Sequence, residues 1–118
     1  MLYIAADHAG YLLKGELKPF LENQGYEVID LGARELNPAD DYPDFAVLLA
    51  RRVAAEEAAK GILICGAGQG MCVAANKIPG IRAALVHNEF TARAAAQHVR
   101  ANVICLGGRT TEVKTAKI

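Results

Sequence analysis

The sequence predicts an α/β protein, a three-layer Rossmann-like sandwich in which a five-stranded parallel sheet lies between helices. Two observations lead there. Short segments of near-continuous apolar content alternate with segments of helical period along the whole chain. Strands that are apolar throughout belong to sheets covered on both faces, and the intervening helices supply the cover. A length of 118 residues and a hydrophobic content of 53% suit one domain, residues 1–118, with a core of its own.

Leu2 to Ala6 reads as the first buried strand. Tyr11 to Gln24 reads as a helix with Leu12, Leu13, Leu17, Phe20 and Leu21 on one face, and Gly25 suits its C-terminus. Pro19 marks a kink or an early break in it. Glu27 to Leu31 is the second strand, followed by a loop containing Asn37-Pro38. Asp41-Tyr42-Pro43 opens a helix to about Ala59, with Pro43 suited to the first turn. Ile62 to Cys65 is the third strand, and the helix after Gly70 runs to about Lys77. Pro79-Gly80 makes a turn before the fourth strand, Ile81 to Val86. Asn88 caps a helix ending near His98, and Asn102 to Leu106 is the fifth strand. Thr110 or Thr111 caps a last helix that reads as incomplete at Ile118.

Composition excludes several classes. Thirteen basic residues balance thirteen acidic ones, so no basic field argues for nucleic acid. No apolar run approaches the roughly 20 residues that span a bilayer. No signal peptide is read at the N-terminus, which points to the cytoplasm. Cys65, Cys72 and Cys105 are odd in number and lack metal-ligand spacing, as expected of free thiols in a reducing compartment.

The segment GILICGAGQG, 61–70, carries the chemistry. A buried strand ending in Cys65 runs into Gly66, Gly68 and Gly70 and then a helix, so backbone N–H groups can cradle an anion beside a thiol. Such dipoles favour the thiolate. In open α/β sheets ligands bind beyond the carboxyl ends of the strands. Asp7-His8, Cys65 with its glycines, His87-Asn88 and Gly107-Gly108-Arg109 all fall at such ends. Each has a plain structural reading as well: Asp7 as a helix cap, His8 and His87 as loop residues, Cys65 as a small hydrophobe, Arg109 as a surface charge, His98 as a partner of a helix dipole. Cys72 and Cys105 read as core residues. The coincidence at several strand ends favours a site.

The blocks AADHAG (5–10), DYPD (41–44), GILICGAGQGM (61–71), AANK (74–77), GIRAAL (80–85) and ANVICLGGR (101–109) resemble the ribose-5-phosphate isomerase B family, in family order. Its wider group includes galactose-6-phosphate and allose-6-phosphate isomerases. The resemblance implies the strand order 2-1-3-5-4. It implies that Cys65 is the base shuttling a proton between C1 and C2, and that His98 assists ring opening. Asp7 and Tyr42 match sugar-contacting positions, His8 and Arg109 phosphate-side positions, and Gly66, Ala67, Gly68 and Gly70 the loop that holds the enediolate. Another branch uses a glutamate at the position of Met71; the retained Cys65 places this chain with the cysteine branch. Ala67 stands where the family usually has threonine, and Ala96, Val99 and Arg100 where it has arginine, asparagine and aspartate. The family's C-terminal arginines, which bind phosphate and often reach across a dimer interface, have no counterpart in the sequence.

The expected function is therefore interconversion of ribose 5-phosphate and ribulose 5-phosphate through an enediolate, without metal or other cofactor, in the cytoplasm. The expected partners are the sugar phosphate and further copies of the chain, as a homodimer or homotetramer, with no nucleic acid and no membrane. Two alternatives stand beside it: a hexose-6-phosphate isomerase of the same family, and a catalytically weak sugar-phosphate-binding subunit.

Overall fold

Alternation of apolar strands with amphipathic helices produces the expected layers. In a computed structural model, residues 2–32, 42–56, 58–66 and 68–108 are described, with the backbone alone for Tyr42 and Pro43. The elements run β1 (Leu2–Ala6), α1 (Tyr11–Asn23), β2 (Val28–Asp30), α2 (Tyr42–Ala55), β3 (Lys60–Cys65), α3 (Gln69–Ala75), β4 (Ala83–Leu85), α4 (Glu89–His98) and β5 (Val103–Gly107). The sheet has the order β2-β1-β3-β5-β4, and all four pairings are parallel. The loop at Asn37-Pro38 and the helix expected from Thr110 or Thr111 lie outside the described residues.

Side-chain alternation splits the core in two. Tyr3, Ala5, Leu63, Cys65, Val103 and Cys105 face one way, against Leu49 and Val53 of α2 and Met71 of α3. Ile4, Ala6, Ile62, Ile64 and Leu106 face the other, against Leu13 and Leu17 of α1 and Ala95 of α4. The central strand β3 is buried from Gly61 onward, so apolar residues are demanded on both faces, which is why the strand reads as a continuous hydrophobic run.

Several expectations need correction. Leu12 does not join the buried face of α1: it is 74% exposed, whereas Lys14 is only 4% exposed. The buried stripe follows positions 13, 14 and 17, and the Lys14 ammonium reaches Asp30 at the end of β2, 3.0 Å away. Pro19 does not end α1. Helix α2 stops at Ala55, because the Val53 and Glu56 carbonyls accept from Glu56 and Ala59 N–H in tight turns and Ala58 adopts φ +64°. Helix α3 ends at Ala75, and the Asn76 side chain then turns to β4, accepting from Ala83 N and donating to Ala83 O. Cys72 is only partly buried, while Cys105 is fully buried.

Candidate active site

Three strand ends converge on one rim of the sheet. Cys65 closes β3, opposite Gly107 of β5, and is 6% exposed. Its carbonyl accepts from Gly108 N at 2.6 Å, while the preceding carbonyl, of Ile64, accepts from Asp7 N at 3.2 Å. Thus the segments after β1, β3 and β5 are joined by backbone bonds immediately beside the thiol. The fit leaves no room for side chains. A Cβ on Gly108 would overlap the Ala9 carbonyl oxygen and sit 2.9 Å from Gly10 Cα.

Asp7 is buried, at 4% exposed. It is not the cap of α1, whose N-cap is Gly10 without a side-chain bond. Its Oδ1 instead accepts from Ala9 N at 2.9 Å and Gly10 N at 3.2 Å. These bonds offset the cost of burying a carboxylate and hold the turn that carries His8. His8 is partly exposed on that turn.

After Cys65 the chain turns through Gly66, partly exposed, and Gly68, buried with φ +83° as the N-cap of α3. Only glycine suits Gly68 on both counts: the left-handed backbone, and a Cβ that would meet Leu85 Cδ1 at 2.6 Å and the Leu106 carbonyl carbon at 3.0 Å. Gly70 lies in the first turn of α3. Ala67 and Arg109 lie outside the described residues, as does the Tyr42 side chain, although its backbone begins α2.

His98 is the exception. Asn88 starts α4 with a capping box: its side chain accepts from Thr91 N, and Thr91 Oγ1 accepts from Asn88 N. The helix then runs back across the sheet, and the exposed His98 ends it. Arg100 follows with φ +50°, and its carbonyl accepts from Arg82 Nε at 2.9 Å. Arg82 and Asn102 immediately precede β4 and β5. His98 therefore sits at the rim where strands begin and Cys65 at the rim where they end. Val103 to Gly107 alone is four residue steps, about 13 Å along the strands at ~3.3 Å per residue. Within one chain the two do not meet.

A polar cavity of about 380 Å³ lies at the His98 end, lined in part by Glu56, Lys60, Gly80, Arg82 and Asn102. It contains none of the residues that the sequence assigned to the site. Sequence reasoning also missed the partly buried Lys14–Asp30 pair, whose Asp30 Oδ1 additionally accepts from Gly32 N at 2.9 Å and so shapes the exit of β2. A lysine directly after Leu13, within the apolar stripe of α1, was the available signal. Among the described residues no group of three or more His, Cys, Asp or Glu side chains could hold a metal ion, and no helix is long and apolar enough to cross a membrane.

The parallel sheet brings a thiol, a buried carboxylate, a histidine-bearing turn and a glycine corner to one rim, the edge at which open α/β proteins take their ligands. The chain belongs to the Ribose/Galactose Isomerase family, which matches residues 2–118. A relative from Mycoplasma pneumoniae is 55% identical over 108 residues, 92% of this chain and 71% of its own. Ribose-5-phosphate isomerase B of Mycobacterium tuberculosis is 43% identical over 115 residues, 98% of this chain and 71% of its own. Among solved structures, that of ribose-5-phosphate isomerase B from Mycoplasma genitalium with bound ribulose-5-phosphate superposes with a TM-score of 0.95. It is 44% identical, and the match covers 98% of this chain and 77% of that one.

Proposed function

We propose that this chain is an aldose–ketose isomerase that interconverts ribose 5-phosphate and ribulose 5-phosphate through an enediolate. The carrying observation is the delivery of Cys65 to a rim shared with Asp7, His8 and the glycine corner. Isomerisation removes a proton beside a carbonyl, and negative charge grows on oxygen. A thiolate is a competent base for that proton, and N–H groups of the 66–70 turn would hold the oxyanion, each donor contributing about 2.7–4 kcal/mol where such donors have been removed. Asp7 would anchor a sugar hydroxyl, with Tyr42 beside it, and His8 and Arg109 would receive the phosphate. No step requires a metal. The single sheet supports reading 1–118 as one domain, and three free thiols support a reducing, cytoplasmic setting.

The separation of His98 from Cys65 supports a homodimer in which His98 of a second copy opens the sugar ring at the Cys65 of the first. Two variants test this together. Cys65→Ala and His98→Ala should each lower turnover, Cys65→Ala by about 10²–10⁴-fold with sugar-phosphate binding retained. Unfolded together and refolded as a mixture, the two inactive proteins should regain about a quarter of wild-type activity, because half the dimers then carry one intact site of two. No recovery would mean that His98 does not serve a neighbour's thiol. Assays across pentose and hexose phosphates, with chelator present, test the substrate class. Preference for a hexose phosphate would favour the reading in which Ala67, in place of a threonine, makes room for a larger sugar.

A further inference from the structure

Among the described residues two charged side chains are buried, Asp7 and Lys14, each 4% exposed. Asp7 belongs to the candidate site. Lys14 lies in the first turn of α1, and its ammonium reaches Asp30 Oδ1 at the end of β2, 3.0 Å away. Burying an ammonium is costly, and a buried ion pair is a weak source of stability. What such a pair does supply is a fixed distance and direction between the elements that carry it.

Here those elements frame the turn that carries Asp7 and His8. On the α1 side, Lys14 N donates to Gly10 O at 2.9 Å, and Gly10 N donates to Asp7 O and to Asp7 Oδ1, each at 3.2 Å. A Cβ on Gly10 would sit 2.4 Å from the Ile64 carbonyl oxygen, so the end of the turn lies hard against β3. On the β2 side, Asp30 Oδ1 accepts from Gly32 N at 2.9 Å as well as from Lys14. The Gly32 carbonyl in turn accepts from Ala6 N at 2.8 Å, and Ala6 is the residue before Asp7. One carboxylate oxygen therefore ties the start of α1 to the exit of β2. The turn between them is anchored at its beginning through Gly32 and at its end through Gly10.

We infer that Lys14 is a positioning residue: through Asp30 it fixes the Asp7–His8 turn, and so sets the affinity of the site for its sugar phosphate. The effect on affinity rests on the isomerase reading; the fixing of the turn does not. The thiol is secured separately, since Cys65 O accepts from Gly108 N, a bond that neither Lys14 nor Asp30 enters. Loosening the clamp should therefore act on binding more than on proton transfer, and appear in KM rather than kcat.

Two variants of the full chain test this. Lys14→Met keeps much of the side-chain volume and removes the charge, leaving Asp30, 28% exposed, to water and Gly32 N. Lys14→Met/Asp30→Asn leaves no unpaired charge and keeps an oxygen for Gly32 N, so it stays folded even where the single variant does not. Each is followed by urea unfolding, amide hydrogen exchange and steady-state kinetics with ribose 5-phosphate. The expected result in both is faster exchange at Ala9 and Gly10, unchanged exchange at Gly108, and KM raised about tenfold while kcat changes less than about threefold. The double variant should do this with stability close to the parent's, which a merely structural pair would not. Parental KM in either folded variant, losses of kcat and KM that track the loss of stability, or unchanged exchange at Ala9 and Gly10 would each overturn the inference. A parent chain that turns over no pentose or hexose phosphate would count against the isomerase reading alone, and exchange at Ala9 and Gly10 would still decide the clamp.

Discussion

The two rims of the sheet are built on different principles. Where the strands end, backbone lies directly on backbone: Gly108 N bonds to Cys65 O, Asp7 N bonds to Ile64 O, and the Gly108 Cα packs against the Ala9–Gly10 turn. Where the strands begin, backbone bonds such as Asn102 N to Arg82 O and Gly61 N to Asn102 O are joined by side-chain bonds. Asn102 Oδ1 accepts from Arg82 N at 2.8 Å, its Nδ2 donates to Gly80 O at 2.9 Å, and the Arg82 guanidinium reaches Arg100 O. A cavity of about 380 Å³ remains at this second rim. The contrast teaches a division of labour. The thiol proposed as the base is held among close backbone contacts, the kind of support a precisely placed group needs. The exposed histidine that would meet another copy is presented from the rim with the cavity.

Changes at each rim should separate sharply by size. Gly108→Ala strikes the closed rim, where a methyl group has to displace backbone. It should cost at least about 3 kcal/mol in urea unfolding or prevent folding, since neither neighbour can move without breaking strand-end bonds. A loss below about 1 kcal/mol would mean that the closed rim is softer than described. Asn102→Ala at the other rim removes two side-chain bonds in an exposed setting, where water takes over part of the loss. About 1–2 kcal/mol is expected, with turnover reduced less than stability would suggest.

Helix α4 connects the rims, and its capping box can be weakened alone. Asn88→Ala should cost about 1 kcal/mol, and amide exchange should quicken in the first turn of α4 before it does at His98. Equal acceleration along the whole helix would show that α4 unfolds as one unit. The smallest change lies away from both rims. Gly15 is in mid-helix, and a Cβ there meets nothing within 4 Å. Gly15→Ala should raise stability by about 0.5–1 kcal/mol and leave turnover unchanged. A loss of stability would reveal a neighbour of α1 outside the described residues.

Element type and order were legible because each depends on near neighbours. The apolar run of β3, the Asn88–Thr91 cap and the turn after Pro79 announce themselves in a few residues each. Element ends were less legible. Helix α2 stops at Ala55 where the chain enters a turn carrying Ala58 at positive φ, and no glycine or proline marks that stop. Leu12 and Lys14 exchanged places because a helical face is read from hydrophobicity alone, whereas Asp30, distant in sequence, waits for the ammonium. The partial burial of Cys72 is hidden for a similar reason: a free cysteine on a short helix gives no local sign of whether its sulfur meets solvent.

The sequence by itself determined which residues stand at strand ends, since the alternation of β and α segments puts every odd connection on the same rim. That is enough to bring Asp7, Cys65 and the glycine corner into one region. Tertiary structure alone decided how closely they meet, through the bonds from Asp7 N to Ile64 O and from Gly108 N to Cys65 O, which join segments far apart in the chain that no local pattern encodes. The same alternation puts His98, at the end of α4, on the far rim, because a helix returning across a parallel sheet reverses direction over its length. Proximity in a folded chain depends on where elements start and stop in space, and the strand order that fixes this is a property of packing among all five strands at once.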